Sequence, residues 1–186
     1  MALAATCPPL GTDADLAARV AALEQRVAAR KSLTLMIFSG DMDRLLAAFN
    51  LAVAAAACGM PVTMFFTFWG STALKRRTVG GKRGLTERLF GLLLPGGSAH
   101  RPLSRFDFLG LGRLLMRRQM RRRNVASQDE LIAQCATLGV EFLVCESSMA
   151  LMGLCHAELI DYPKLETCGA AHFLARANGA ATTLFI

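Results

Sequence analysis

The sequence predicts an α/β protein with three layers, α/β/α, in which a mostly parallel sheet lies between helices. Two observations predict this core. Short apolar runs typical of buried strands alternate with Ala-rich helical periodicity, and the alternation occurs near both ends of the chain. Parallel strands buried on both faces read as continuous apolar runs and need crossover helices between them. With 186 residues, 53% of them apolar, the chain has the length of one domain and is too apolar to be disordered.

The first predicted element is an N-terminal helical arm, residues 1–31. Its apolar side chains recur at spacings of four, three and four residues: Leu16, Val20, Leu23 and Val27. An amphipathic helix of this length is marginal when isolated, so it needs an apolar partner surface. Either its own domain or a neighbouring subunit supplies that surface.

The remaining residues, 32–186, are predicted to form the α/β domain. The domain begins with a buried strand at residues 33–38, followed by a turn and by a helix that starts near Asp43 and ends at Gly59. A second strand is predicted at residues 62–68. Strand, helix and strand in this order form a βαβ unit.

The second half of the chain repeats the alternation. A helix is predicted at residues 128–138, and a strand at residues 140–144 leads to Cys145. A further helix at residues 170–177 precedes a last strand at residues 181–186. These elements continue the parallel sheet.

The segment from residue 45 to residue 74 carries no formal charge, which raises the question of a membrane span. Gly59-Met60-Pro61 interrupts the run, so a helix, a turn and a buried strand explain it better than a span does. The six cysteines include no CxxC pair and follow no secretory signal. We therefore expect reduced thiols and a cytoplasmic location, with attachment to a membrane surface left open.

A basic insertion is predicted at about residues 75–123. This stretch holds 14 of the 21 Lys and Arg residues and has a net charge of +12, whereas the rest of the chain has −5. Near its end, Leu and Met residues alternate with arginines, which predicts an amphipathic basic helix. Three roles fit: a solvated cover over one end of the sheet, a docking face for an acidic partner protein, or a contact with an anionic membrane.

The candidate docking residues of this insertion are Arg117, Arg118, Arg121, Arg122 and Arg123. No aromatic stacking platform accompanies the arginines, and no nucleic-acid-binding motif occurs in the sequence. Nucleic acid is therefore not an expected partner.

Cys145 is the candidate reactive residue. It follows a predicted buried strand and precedes Glu146, Ser147 and Ser148, which can begin a helix and are accessory candidates. Open α/β sheets place ligands and reactive groups at the carboxyl ends of their strands. Backbone N–H groups at a helix start stabilise a thiolate and, equally, the anion of a persulfide.

Several segments resemble the DsrE/DsrF-like sulfur-relay family. They are residues 35–41 (LMIFSGD), residues 59–70 (GMPVTMFFTFWG), Cys145 with Ser148-Met149 and Met152-Gly153, and residues 158–161 (ELID). The resemblance is to the branch in which a basic Leu/Met/Gly-rich insertion follows the Trp-Gly segment. It implies a three-layer α/β/α fold, a homo-oligomer, and sulfane sulfur carried on Cys145. It also implies partners that donate and accept sulfur, such as rhodanese-like or TusA-like proteins.

Two departures from that branch concern the site. Ala150 stands where the branch usually has an acidic residue, and Thr167-Cys168-Gly169 stands where it has a Gly-rich stretch without a thiol. Cys155 and Cys168 are therefore accessory candidates that could receive or resolve a persulfide. A simple packing role for each remains open.

Metal binding is the competing chemistry, because five side chains near the end of the chain are soft ligands: Cys145, Cys155, His156, Cys168 and His172. Their spacing matches no structural zinc pattern. No dinucleotide or phosphate-binding glycine motif occurs either. We therefore expect neither a metal nor a cofactor.

The sequence thus predicts a cytoplasmic sulfur carrier, similar to a sulfurtransferase, that passes sulfane sulfur through a persulfide on Cys145. The alternative is a non-catalytic membrane-proximal or scaffold protein. In that case the basic insertion binds anionic lipid or an acidic partner.

Overall fold

The computed structural model describes residues 13–29, 31–76, 103–104 and 110–186. In chain order the elements are α1 (Asp13–Ala29), β1 (Leu33–Ile37), α2 (Met42–Ala57), β2 (Val62–Phe66), a 3₁₀ helix (Phe68–Leu74), α3 (Leu111–Arg122), α4 (Gln128–Thr137), β3 (Glu141–Cys145), α5 (Glu146–Met152), a short 3₁₀ helix (His156–Glu158), β4 (Leu165–Cys168), α6 (Ala170–Asn178) and β5 (Thr182–Phe185).

The five strands form one parallel sheet in the order β4-β3-β2-β1-β5. Helices α2 and α4 pack on one face, where Phe49 and Leu131 join the main core. Helix α6 packs on the other face through Phe173, which stacks on Phe65 of β2 with 4.4 Å between ring centroids. The predicted three-layer α/β fold with a mostly parallel sheet is confirmed.

The predicted second strand, residues 62–68, is too long by two residues. β2 ends at Phe66, and Phe68 adopts a left-handed backbone with φ of 45°. The 3₁₀ helix that follows brings Gly70 so close to β1 that a Cβ atom there would clash with the carbonyl oxygen of Ile37. The Gly70 N–H donates to the Phe38 carbonyl at 2.8 Å. The aromatic run is typical of a strand, but this close backbone approach ends it.

Strand β4 was not among the predicted strands. It is an edge strand of four residues with the exposed Glu166 in its middle, so it contains no apolar run that could mark it in the sequence. The other three predicted strands occur within two residues of their expected bounds. The helices α2, α4 and α6 occur where they were expected as well.

Helix α1, Asp13–Ala29, lies within the predicted arm, residues 1–31. Its apolar residues Leu16, Val20 and Leu23 are each slightly more than half exposed, so the described part of the domain does not bury this face. No described helix is both long and apolar enough to cross a membrane.

The predicted insertion lies partly outside the described residues, because residues 77–102 and 105–109 are not among them. Its described end is α3, which confirms a basic amphipathic helix at residues 111–122. Ser104 connects the insertion to the start of α2, where its N–H and hydroxyl both donate to the Asp43 carboxylate.

Candidate functional site

The candidate site lies at the carboxyl edge of the sheet, where β3 ends at Cys145 and α5 begins at Glu146. The apolar residues of β3 are fully buried between β2 and β4, which fixes the position of the last residue of the strand. Cys145 itself has an extended backbone and occupies the N-cap position of α5. Its side chain therefore lies where the N–H groups of the first helical turn have no partner within the helix.

Polar groups from three residues surround the Cys145 thiol. The residue is buried, with 6% exposed, and burial alone would oppose ionisation of the thiol. The hydroxyl and N–H of Ser148, the hydroxyl of Thr67 and the N–H of Ser147 all favour the charged form. Together these groups outweigh burial and lower the pKa of the Cys145 thiol below its usual value.

Thr67 is a site residue that the sequence prediction missed. It follows β2 directly, so it lies at the same edge of the sheet as Cys145 on the neighbouring strand. Its hydroxyl and that of Ser148 are both buried and share a hydrogen bond of 2.8 Å. The signal available in the sequence was a small hydroxyl residue at the end of the strand next to the one that leads to Cys145.

Cys168 lies beside Cys145. It ends β4 as Cys145 ends β3, and the two are direct register partners in the parallel ladder. Both belong to the apolar cluster under α6, and 9% of Cys168 is exposed. Burial, and after it the negative charge of the Cys145 thiolate, raises the pKa of the Cys168 thiol.

The other accessory candidates divide into two groups. Glu146 and Ser147 are exposed at the start of α5, and Ser147 contributes its N–H to the thiol rather than its hydroxyl. Cys155 lies beyond the far end of α5, where it is exposed and begins the short 3₁₀ helix. Its N–H donates to the Glu158 carboxylate at 3.1 Å, and Cys155 belongs neither to the hydrogen bonds of Cys145 nor to its apolar cluster.

The candidate docking arginines lie on and just after α3. Arg117 and Arg121 line a groove of about 850 Å³ together with the first residues of α2 and α4. Helix α2 follows β1 and α4 precedes β3, so both helices begin at the carboxyl edge of the sheet. The basic helix therefore ends at the same edge of the sheet as the Cys145 thiol.

Metal binding is the competing chemistry for the cysteines and histidines near the end of the chain. Across residues 13–29, 31–76, 103–104 and 110–186, no three His, Cys, Asp or Glu side chains lie together in a way that could hold a metal ion.

Comparison with known proteins gives three matches. Residues 29–185 match the model of the DsrE/DsrF/DrsH-like family. The uncharacterized protein YrkE of Bacillus subtilis is 37% identical over 157 residues, which cover 84% of this chain and 97% of that protein. The sulfur carrier protein DsrE2 of Allochromatium vinosum is 30% identical over 170 residues, which cover 84% of this chain and 99% of that protein.

Proposed function

The chain belongs to the DsrE/DsrF/DrsH-like family, and on that premise we propose that it is a sulfur carrier that holds sulfane sulfur as a persulfide on Cys145. Family membership and the similarity to a sulfur carrier protein support a role in sulfur relay. The free thiols of the described cysteines suit a reducing compartment such as the cytoplasm.

The observation that carries the proposal is the position of Cys145 at the end of β3 and at the N-cap of α5, next to the buried hydroxyls of Thr67 and Ser148. A thiol in an apolar site without such donors stays protonated and inert, because burial disfavours the thiolate. Here the donors from Ser147, Ser148 and Thr67 lower the pKa of the thiol despite its burial. The same donors suit the terminal sulfur of a persulfide, which carries a negative charge as well.

Sulfur transfer by this thiol needs one exchange in each direction. The Cys145 thiolate attacks the outer sulfur of a donor persulfide, a new S–S bond forms at its Sγ atom, and the donor leaves as a thiolate. Delivery is the reverse step, in which an acceptor thiolate attacks the outer sulfur and Cys145 leaves as the thiolate. A low pKa makes Cys145 a good leaving group in this second step.

Mass spectrometry after incubation with a small-molecule persulfide tests the proposal. The wild-type protein should gain one sulfur atom, mapped to the Cys145 peptide, and Cys145→Ser should gain none there. Cys58→Ser is the matched control, because Cys58 is a free, exposed thiol at the C-terminal end of α2, at the opposite edge of the sheet. Loading of Cys145→Ser at the wild-type level would contradict the proposal.

The partners are proposed to be sulfur-donor and sulfur-acceptor proteins with an acidic docking face, such as rhodanese-like or TusA-like proteins. Residues Arg118, Arg121, Arg122 and Arg123 are exposed on and after α3, and Arg117 is partly buried in the adjoining groove. Because α3 ends at the carboxyl edge of the sheet, a partner bound there would hold its reactive sulfur near Cys145.

A second candidate function is attachment to an anionic membrane surface, and one observation favours it. Leu111, Leu114 and Leu115 are each more than half exposed on the same helix as the arginines. An amphipathic helix of this composition lies in the plane of an anionic membrane surface.

Replacing Arg117, Arg118, Arg121, Arg122 and Arg123 by Gln separates these functions. If the arginines dock a donor protein, transfer from that protein should slow while transfer from a small persulfide stays unchanged. If they hold the chain on lipid, binding to anionic vesicles should be lost and both transfer rates should stay unchanged. If none of the three measurements changes, the arginines have neither docking role and only form a solvated surface.

The protein is also proposed to form a homo-oligomer. The exposed apolar face of α1 is a surface that a second copy could bury, and symmetric association is the common arrangement. Light scattering should give a mass larger than that of one chain at micromolar concentration. An oligomer that survives deletion of residues 1–30 would exclude a role for the arm in assembly.

A further inference from the structure

Cys145 and Cys168 form a pair across two neighbouring strands. They are the last residues of β3 and β4 and are direct register partners, so both side chains lie on the same face of the sheet. Neighbouring strands lie about 4.8 Å apart. Disulfides join residues whose Cα atoms are about 4.4–6.8 Å apart, so the register brings the Cα atoms of the two cysteines within the range that a disulfide spans.

One apolar cluster surrounds both thiols of the pair. Both belong to a cluster with Phe65, Leu143 and Phe173, in which the stacked rings of β2 and α6 cover the sheet. Both cysteines are free and buried, with 6% of Cys145 and 9% of Cys168 exposed. A sulfur atom on Cys145 therefore has one thiol of this chain as its neighbour within the cluster.

We propose that Cys168 is the resolving thiol for the persulfide on Cys145, and that together they discharge unclaimed sulfur as hydrosulfide. This inference rests on the function proposed above. The Cys168 thiolate attacks the Sγ atom of the Cys145 persulfide and forms the Cys145–Cys168 disulfide. The bond between Sγ and the outer sulfur breaks, and the outer sulfur leaves as hydrosulfide with the bonding electron pair. A dithiol reductant then returns both cysteines to thiols.

The other described cysteines do not fit this role. Cys58 ends α2 at the opposite edge of the sheet, and Cys135 lies in the core on the opposite face. Cys155 is exposed beyond α5. Because burial keeps the Cys168 thiol mostly protonated, discharge should be slower than delivery to an acceptor.

The test loads Cys145 with a persulfide, removes the small persulfide donor and measures how long the extra sulfur persists. The wild-type chain should lose its extra sulfur, release one hydrosulfide per chain and end as a species that lacks two hydrogen atoms relative to the reduced protein. In Cys168→Ser and in Cys168→Ala, the persulfide should persist at least about tenfold longer. Cys155→Ser is the matched control and should decay like the wild type.

Two variants at position 168 keep the test decisive if one of them folds poorly. Decay of the persulfide at the wild-type rate in the folded variant overturns the role of Cys168 and leaves the sulfur-carrier function intact. Failure of the wild-type chain to load Cys145 at all overturns the sulfur-carrier function itself.

A second measurement probes the pair without any sulfur donor. Mild oxidation of the reduced protein with diamide should link Cys145 to Cys168, mapped by the joined peptides. Absence of that link in the folded wild-type protein also overturns the inference.

Discussion

Cys135 and Cys145 are both buried, yet their surroundings shift the acidity of their thiols in opposite directions. Cys135 lies in α4 with no exposed surface, and burial raises its pKa to about 12. Cys145 is buried less deeply, with 6% of the residue exposed, and its pKa is lowered. The comparison shows that burial does not by itself decide whether a cysteine of this protein is inert.

The difference follows from the position of each residue in its element. Cys135 lies inside α4, where the N–H groups of the helix bond to carbonyls one turn earlier. Cys145 lies at the junction of β3 and α5, where the first N–H groups of the helix are available to a side chain. Two buried hydroxyls, Thr67 and Ser148, complete the set of donors.

The sharpest test of this comparison is selective alkylation of the native protein. At neutral pH, iodoacetamide should modify Cys145 at least about a hundredfold faster than Cys135, because only the thiolate is the nucleophile. Quantitative peptide mapping measures both rates in one sample. In guanidinium chloride the two rates should become similar, since unfolding removes both environments. Equal rates in the native protein would contradict the comparison.

Removal of one donor should raise the pKa of Cys145 toward that of Cys135. Ser148→Ala deletes a hydroxyl that favours the thiolate, so the pKa of Cys145 should rise and alkylation near neutral pH should slow about tenfold. The matched control is Ser147→Ala, because Ser147 acts through its N–H, which alanine retains. A pH profile of the alkylation rate measures the shift. An unchanged profile in Ser148→Ala would contradict the role of the hydroxyl.

The raised pKa of the Cys135 thiol predicts that the protein loses stability in alkaline solution. The unfolded chain loses the Cys135 proton near pH 9, whereas the folded chain holds it to about pH 12. The unfolded state therefore binds fewer protons in this window, and the stability due to Cys135 falls as pH rises, by about 1 kcal/mol between pH 9 and pH 10. Denaturant titrations of wild type and Cys135→Val should show a smaller alkaline loss in the variant. Equal losses would mean that Cys135 ionises normally in the fold.

Thr67→Val should have a smaller effect on Cys145 than Ser148→Ala. Valine keeps the shape of threonine and the N–H of residue 67, which donates to the Ile37 carbonyl at 3.0 Å, but it removes the hydroxyl. Alkylation of Cys145 near neutral pH should slow about threefold, because Ser148 and the N–H donors remain. The same pH profile measures it. A larger effect than that of Ser148→Ala would reverse the ranking of the two hydroxyls.

Much of this fold was predictable from the sequence because its central strands are buried on both faces. Residues 142–145 form a continuous apolar run, residues 33–37 are apolar except for Thr34, and a glycine at positive φ follows each of the helices α2 and α4. β4 was not predictable in this way, because an edge strand with polar side chains has no apolar pattern. The end of β2 was not predictable either. It depends on a close backbone approach between Gly70 and Ile37, two residues that lie far apart in the chain.

The candidate site was predictable in position but not in composition. Cys145 and its flanking serines were predictable because strands of an open α/β sheet deliver reactive residues to the carboxyl edge. Thr67 was not predictable, because the bond between Thr67 and Ser148 joins residues 81 positions apart. The pairing of Cys145 with Cys168 depends on the register between β3 and β4. This register could not be predicted, because β4 itself could not be predicted from the sequence.

The bond between Thr67 and Ser148 has a consequence for the count of hydrogen atoms at the site. Each hydroxyl has one hydrogen and can donate it either to the other hydroxyl or to the Cys145 sulfur. With a neutral thiol the three groups hold three hydrogens, and with a thiolate they hold two. Ionisation of the thiol therefore leaves the two hydroxyl hydrogens to be shared between the sulfur and the contact that joins Thr67 to Ser148.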